Sequence, residues 1–399
     1  MNVVRRPNRF HDTLVVANVF SLLTYSPNFI SVVFPATKGL QLLVFVLTAA
    51  YLLARPMRRV DVLTALFSLF LAFIVLSASV NYLRFANADS LYLALSYVVK
   101  ALNVVMLFQL CKSTADLDRM LKLVAMTLVG YAAHGVGQFV VAAFGIVSPR
   151  GTIEMQGYEF VDLGWAGIYR VAFQIGDVNL IRIQSFFQEP GFFAFYLMFG
   201  LVLLDFVSAR MPFARRRLCS SIVLLALTLT LSLTGIALTL AYLLVRTRSI
   251  FFRVLAVGVA LYLFDFIVFN ESEFIGKTGS FDMRLEHYSL IETVASSWEN
   301  ILFGIGFGNE ALLSDMRVNN FVPEVLMYST AFGLLTVLAM LLLAMRKGRQ
   351  TNHILLMVLL YSLSTPMLWS PLFVLALFLS WRVPRSVVHS APTLAHSAT

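Results

Sequence analysis

Arg182-Ile-Gln-Ser-Phe-Phe-Gln-Glu189-Pro190-Gly-Phe-Phe193 is the point where a charged stretch becomes an apolar run that continues to residue 208 with Asp205 as its one charge. Pro190 suits the first turn of a helix, where its missing N–H costs nothing. The run behind it is close to the roughly twenty residues a helix needs to span a bilayer. The same switch recurs along the chain. Its 399 residues are 59% hydrophobic with a mean hydropathy of +0.82, which reads as membrane composition rather than as a soluble domain. Only helices or closed barrels cross a bilayer with every backbone group satisfied. The apolar runs are continuous rather than alternating, which selects helices.

Hydropathy and length give about twelve spans. They lie near 12–34, 39–54, 60–82, 91–111, 120–146, 190–208, 218–233, 235–247, 251–269, 322–345, 353–369 and 371–382. The expected class is all-α: one polytopic integral membrane domain over 1–385, with two long outer loops, 146–189 and 271–322. Residues 386–399 are small and polar and read as a disordered cytoplasmic tail.

Basic residues set the orientation. Arg5, Arg6 and Arg9 precede the first span, and Arg55, Arg58 and Arg59 follow the second. Lys112, Arg119 and Lys122 come next, then Arg210, Arg215, Arg216 and Arg217, then Arg246, Arg248 and Arg253. Arg346, Lys347 and Arg349, and finally Arg382 and Arg385, complete the series. Every second loop is basic, so both termini fall inside and both long polar stretches outside. The net charge of +9 is a topology signal and not a nucleic-acid footprint. No small-residue cleavage site follows the first apolar run, so it reads as an uncleaved helix. Cys111 and Cys219 imply neither a disulfide nor a metal framework.

The first polar stretch holds Arg150, Glu154, Glu159, Asp162, Arg170, Asp177, Arg182 and Glu189, punctuated by Gly151, Gly157, Gly164, Gly167 and Gly176. That glycine spacing argues for turns and short strands. Glu189 reads either as a helix-start carboxylate favoured by the dipole or as a proton acceptor. Arg182 reads either as a headgroup anchor or as a clamp on an anionic group.

In the second stretch, Phe281 to Trp298 has the period of an amphipathic helix, with Arg284, His287 and Ile291 on one face. His287 is either a packing residue or a base, and nothing at metal-ligand spacing surrounds it. Phe303-Gly-Ile-Gly-Phe-Gly-Asn309 follows no strand, so it is no dinucleotide fingerprint. It is either a tight turn or a set of amides that could cradle phosphate. Within the spans, Lys100 is an ionisable group at bilayer depth, hence a functional candidate. Its structural alternative is pairing with Asp265 or Asp205. His134 and Gln138 share one face of the fifth span.

Three short stretches resemble the Wzy-type polysaccharide polymerases of the O-antigen ligase and polymerase superfamily. They are Arg182 with Phe187-Gln-Glu-Pro190; Thr230-Leu-Ser-Leu-Thr-Gly235, with Leu233 where the family usually has arginine; and Arg284 with Trp298 and the 303–309 glycine run. Val318-Asn-Asn320 lacks the histidine typical of the ligase branch, and the position eleven after Arg284 is Ala295 rather than glycine.

The resemblance implies a bacterial inner-membrane glycosyltransferase in O-antigen or exopolysaccharide biosynthesis, acting at the periplasmic face. It would move a polyprenyl-pyrophosphate-linked oligosaccharide chain onto a lipid-linked repeat unit. No cofactor and no metal are implied. Arg182 and Arg284, with Arg170, Arg317 and Asn309 as further candidates, would hold the departing pyrophosphate. Glu189, or else His287, would take the acceptor hydroxyl's proton. Lys100 and His134 are the intramembrane polar candidates. Partners would be the lipid-linked donor, membrane lipid, a flippase and a chain-length regulator, with no nucleic acid. The competing readings are a ligase of the same superfamily and a lipid or polysaccharide transporter.

Overall fold

The computed structural model describes residues 9–24, 36–55, 60–111, 113–155, 158–175, 178–187, 189–207, 212–232, 289–307, 309, 321–347, 354–356, 358–359 and 370–382. It also describes the scattered positions 235–237, 239–240, 242, 254 and 258. The helices are α1 (Arg9–Leu23), α2 (Ala36–Leu53), α3 (Val62–Phe85), α4 (Ala88–Leu110), α5 (Thr114–Ala143), α6 (Pro190–Val207) and α7 (Phe213–Leu229). Further along lie α8 (Ser289–Ala295), α9 (Trp298–Phe303), α10 (Phe321–Ser329), α11 (Ala331–Lys347) and α12 (Pro371–Arg382). Strands β1 (Gly151–Met155), β2 (Tyr158–Asp162), β3 (Ile168–Ile175) and β4 (Val178–Ile183) separate α5 from α6.

The chain is mostly helical, and among the described residues five helices, α2 to α6, are long and apolar enough to cross a membrane. The expected spans at 39–54, 60–82, 91–111, 120–146 and 190–208 coincide with them. The expected spans 235–247, 251–269 and 353–369 fall wholly or largely outside the described residues, as do positions 281–288 of the amphipathic helix and the 386–399 tail. Within this helical chain the first polar stretch forms the short strands that its glycine spacing predicts. The stretch 146–189 carries a four-stranded antiparallel sheet in the order β1-β2-β3-β4. Glycines at its turns supply the conformations a meander needs: Gly164 has φ +63° and Gly167 has φ +86°.

Two compact units divide the chain: Met1–Arg59 with Val99–Ser232 and Arg382–Thr399, and Val60–Val98 with Leu233–Trp381. In the first, α5 is the central element, packed against α1, α6, α7 and β4. Ser113 caps it, its hydroxyl accepting from the Asp116 amide at 3.0 Å. α6 is apolar throughout except for Asp205 near its end, and such a helix belongs in an interior; 78% of it is buried. α2, somewhat less apolar, is only 17% buried and turns its surface outward. Gly135 and Gly200 let α5 and α6 approach closely. A Cβ at Gly135 would lie 2.7 Å from the Phe193 ring, and one at Gly200 would lie 3.0 Å from Leu128. Small residues do this where lipid offers no hydrophobic drive between helices.

In the second unit, α3 packs against α10 and α11 and meets α12 through Phe67 and Phe378, 5.7 Å apart. The expected span 322–345 is broken. α10 ends at Ser329, Thr330 takes φ +109°, and α11 starts with the Thr330 hydroxyl accepting from the Gly333 amide at 3.0 Å. The Met327 carbonyl accepts instead from the Ile305 and Gly306 amides, at 2.7 and 3.0 Å. The glycine run thus closes the gap that the helix break opens.

Candidate functional site

The first unit gathers Arg170, Arg182, Glu189 and His134 on one connected framework. β3 and β4 pair so that Arg170 stands directly opposite Arg182. Residues opposite one another in an antiparallel ladder belong to the same face, and like charges there are unfavourable. By strand alternation this is also the face of Phe160 and Ile168, both buried. Tyr169, next to Arg170, adds no negative charge, since burial pushes its hydroxyl above the ordinary range.

Arg182 is half-buried and its Nε donates to the Thr230 carbonyl at 3.1 Å. Thr230 ends α7. Its hydroxyl donates back to the Leu227 carbonyl at 2.7 Å and accepts from the Ser232 amide at 3.3 Å, while Leu231 sits at φ +49°. The last carbonyls of a helix carry the negative end of its dipole, so a guanidinium there is stabilised. Arg182 therefore has a structural role at the C-terminal end of α7.

Glu189 stands immediately before α6, and its carbonyl accepts from the Phe193 amide at 3.2 Å. That placement puts its carboxylate at the positive end of the α6 dipole. Between Arg182 and Glu189, Phe187 is fully buried against Phe193, Tyr196 and Tyr131, with ring centroids 5.3, 4.5 and 5.5 Å away. This aromatic cluster pins the strand-to-helix joint onto α5 and α6.

The face of α5 that carries His134 and Gln138 meets the base of the sheet. Gln138 is 1% exposed. Its Nε2 donates to the Ala166 and Ile168 carbonyls at 2.8 and 2.9 Å, and its Oε1 accepts from the Gln184 and Ser185 amides at 3.1 and 3.0 Å. His134 lies one turn earlier, stacked on Phe186 at 4.2 Å. Its Nε2 faces the Trp165 carbonyl at 3.4 Å and its Nδ1 lies 2.9 Å from the Ser185 hydroxyl. A carbonyl can only accept, so Nε2 carries the proton and Nδ1 accepts from Ser185. Ser185 is fully buried at φ +53°, a turn residue and not a nucleophile open to substrate.

Asn309 lies in the second unit and is spent on the fold. It is 1% exposed, donates to the Ile305 carbonyl at 2.9 Å and accepts from Asn87 at 2.8 Å. Asn81 donates to the Phe303 carbonyl at 3.1 Å. With the Ile305 and Gly306 amides bound to Met327, the glycine run is a docked turn, and those two amides do not face a phosphate. Of the carboxylates expected beside Lys100, Asp205 pairs with Arg216 at 3.6 Å, and Asp265 is outside the described residues. Lys38 lies within electrostatic reach of Lys100. Arg284, His287 and Arg317 are outside the described residues, and for Arg170 only the backbone position is described.

Two features go beyond the sequence reading. Gln138 was legible as a polar residue one turn from His134, but its four partners lie 28 to 47 residues away. Glu324, inside the expected span 322–345, is fully buried in α10. Among the described residues no group of three or more His, Cys, Asp or Glu could hold a metal ion. Compared with protein-family models, curated proteins and solved structures, the chain matches none.

Proposed function

We propose that this chain is a membrane polysaccharide polymerase that transfers a polyprenyl-pyrophosphate-linked oligosaccharide chain onto a lipid-linked repeat unit. The observation that carries the reading is the meeting of Arg182 with Thr230 at 3.1 Å. Two of the three stretches that carry the resemblance are thereby joined, although 48 residues separate them. The backbone of Arg170 stands opposite that of Arg182 in the ladder, and in this reading Arg170 supplies a second positive charge for the same anion.

In this reading the pyrophosphate of the donor lipid leaves as Arg182 and Arg170 offset its growing negative charge. Glu189, at the head of α6, accepts the proton of the acceptor hydroxyl as the new glycosidic bond forms. Arg284, Arg317 and His287 belong to the same proposal as contributions from the second polar stretch. The protein lies in a bacterial inner membrane with both termini cytoplasmic and the reaction on the periplasmic side. Its substrate reaches it through a flippase, and a chain-length regulator acts on its product.

The test is genetic and chemical. A deletion strain should accumulate single lipid-linked repeat units while long polymer disappears. Arg182→Ala and Arg284→Ala should reproduce that phenotype at normal protein levels. Unchanged polymer, or polymer lost without single units accumulating, would sink the proposal.

A further inference from the structure

We infer that Gln138 is a positioning residue that holds the segment from Arg182 to Glu189 in register for polymer transfer; this rests on the reading just given. The segment leaves the sheet at Ile183 and enters α6 at Pro190, with no ladder partners for the Gln184 and Ser185 amides. α5 is long and apolar enough to be a span, and Gln138 lies in its second half. Gln184 and Ser185 are both buried, and buried backbone amides need a partner. One side chain supplies it here. Gln138 accepts from both amides and donates to the Ala166 and Ile168 carbonyls, tying the start of β3 to the end of β4.

These are the two strands whose register sets Arg170 opposite Arg182. Arg182 is two residues from the clamped Gln184, and Glu189 is four from the clamped Ser185, with the buried Phe187 between them. The clamp is closely packed at Gly167. A Cβ at Gly167 would lie 2.6 Å from the Ser185 carbonyl oxygen and 2.9 Å from Gln138 Nε2. His134 adds a second tie one turn away, through the Ser185 hydroxyl at 2.9 Å.

The experiment compares the full-length wild type with Gln138→Leu and Gln138→Glu in lipid nanodiscs. Hydrogen–deuterium exchange is read on the peptide covering 182–189. Turnover is read with a polyprenyl-pyrophosphate oligosaccharide as donor. Leucine should raise exchange in that peptide at least tenfold and lower kcat at least tenfold, with KM changed less than threefold. Glutamate keeps an oxygen for the two amides but sets its second oxygen against the Ala166 and Ile168 carbonyls, so its exchange should lie between wild type and leucine; it also stands in if the leucine variant does not fold. Unchanged exchange in Gln138→Leu, or raised exchange with wild-type kcat, overturns the inference. If the wild type extends no such donor, the polymerase reading fails, and with it the role in transfer, while the exchange arm still reports whether the clamp exists.

Discussion

Gly167→Ala separates the close approach at the sheet base from the general strain of a left-handed backbone. Gly167 has φ +86°, and an added Cβ would meet the Ser185 carbonyl oxygen at 2.6 Å and Gln138 Nε2 at 2.9 Å. Two costs apply. A non-glycine residue held in a sparsely populated backbone region costs about 1–3 kcal/mol, and forcing extra volume into packed structure costs about the same. The neighbour is backbone, which cannot swing aside, so about 2–6 kcal/mol is expected in all. Gly145→Ala is the control: φ is +61° but nothing lies within 4 Å of its Cβ, so about 1–2 kcal/mol is expected. Gly130→Ala, on α5 and also without a neighbour, should stabilise by about 0.5–1 kcal/mol. Thermal unfolding of the three variants in one detergent ranks them. A Gly167→Ala protein no less stable than Gly145→Ala would refute the close approach, and with it the packing of the sheet base on α5.

Phe187→Ala empties a fully buried site between Phe193, Tyr196 and Tyr131 and should cost about 3–5 kcal/mol in the same assay. Arg182→Lys keeps the charge but loses the Nε geometry at Thr230; the lysine variant should retain less than a tenth of polymer output on a lipopolysaccharide or capsule gel, because a point charge does not replace a planar fork. Thr330→Gly relieves a β-branched residue at φ +109° but removes the hydroxyl that caps α11, so its stability should stay within about 1 kcal/mol of wild type, whereas Thr330→Val should fall by more than that.

Much of the helical framework was legible in the sequence because lipid imposes a simple rule: about twenty apolar residues per span. Pro190 marked the start of α6 by removing a donor that the first turn does not use. Gly164 and Gly167 marked the turns of the sheet through their need for positive φ. The break at Thr330 was hidden for a physical reason. It carries no proline or glycine, and it is stabilised by amides of Ile305 and Gly306, more than twenty residues earlier, bonding to Met327. That is a tertiary event without a local signature. The pairing of Arg170 with Arg182 was hidden likewise, since strand register depends on turn geometry and on packing against α5. Gln138 illustrates the middle case: its polarity within an apolar run was visible, and the four backbone groups it serves were not.

The central claim is polymer transfer from a lipid pyrophosphate, with Arg182 at the site. Purified protein in liposomes, given only a polyprenyl-pyrophosphate-linked repeat unit, tests it directly. The expected result is a ladder of lipid-linked chains that grows with time and releases one free polyprenyl pyrophosphate per unit added, lost in Arg182→Ala at equal protein and equal folding. A wild-type protein that forms no ladder, or an Arg182→Ala protein that forms the same one, would contradict the account.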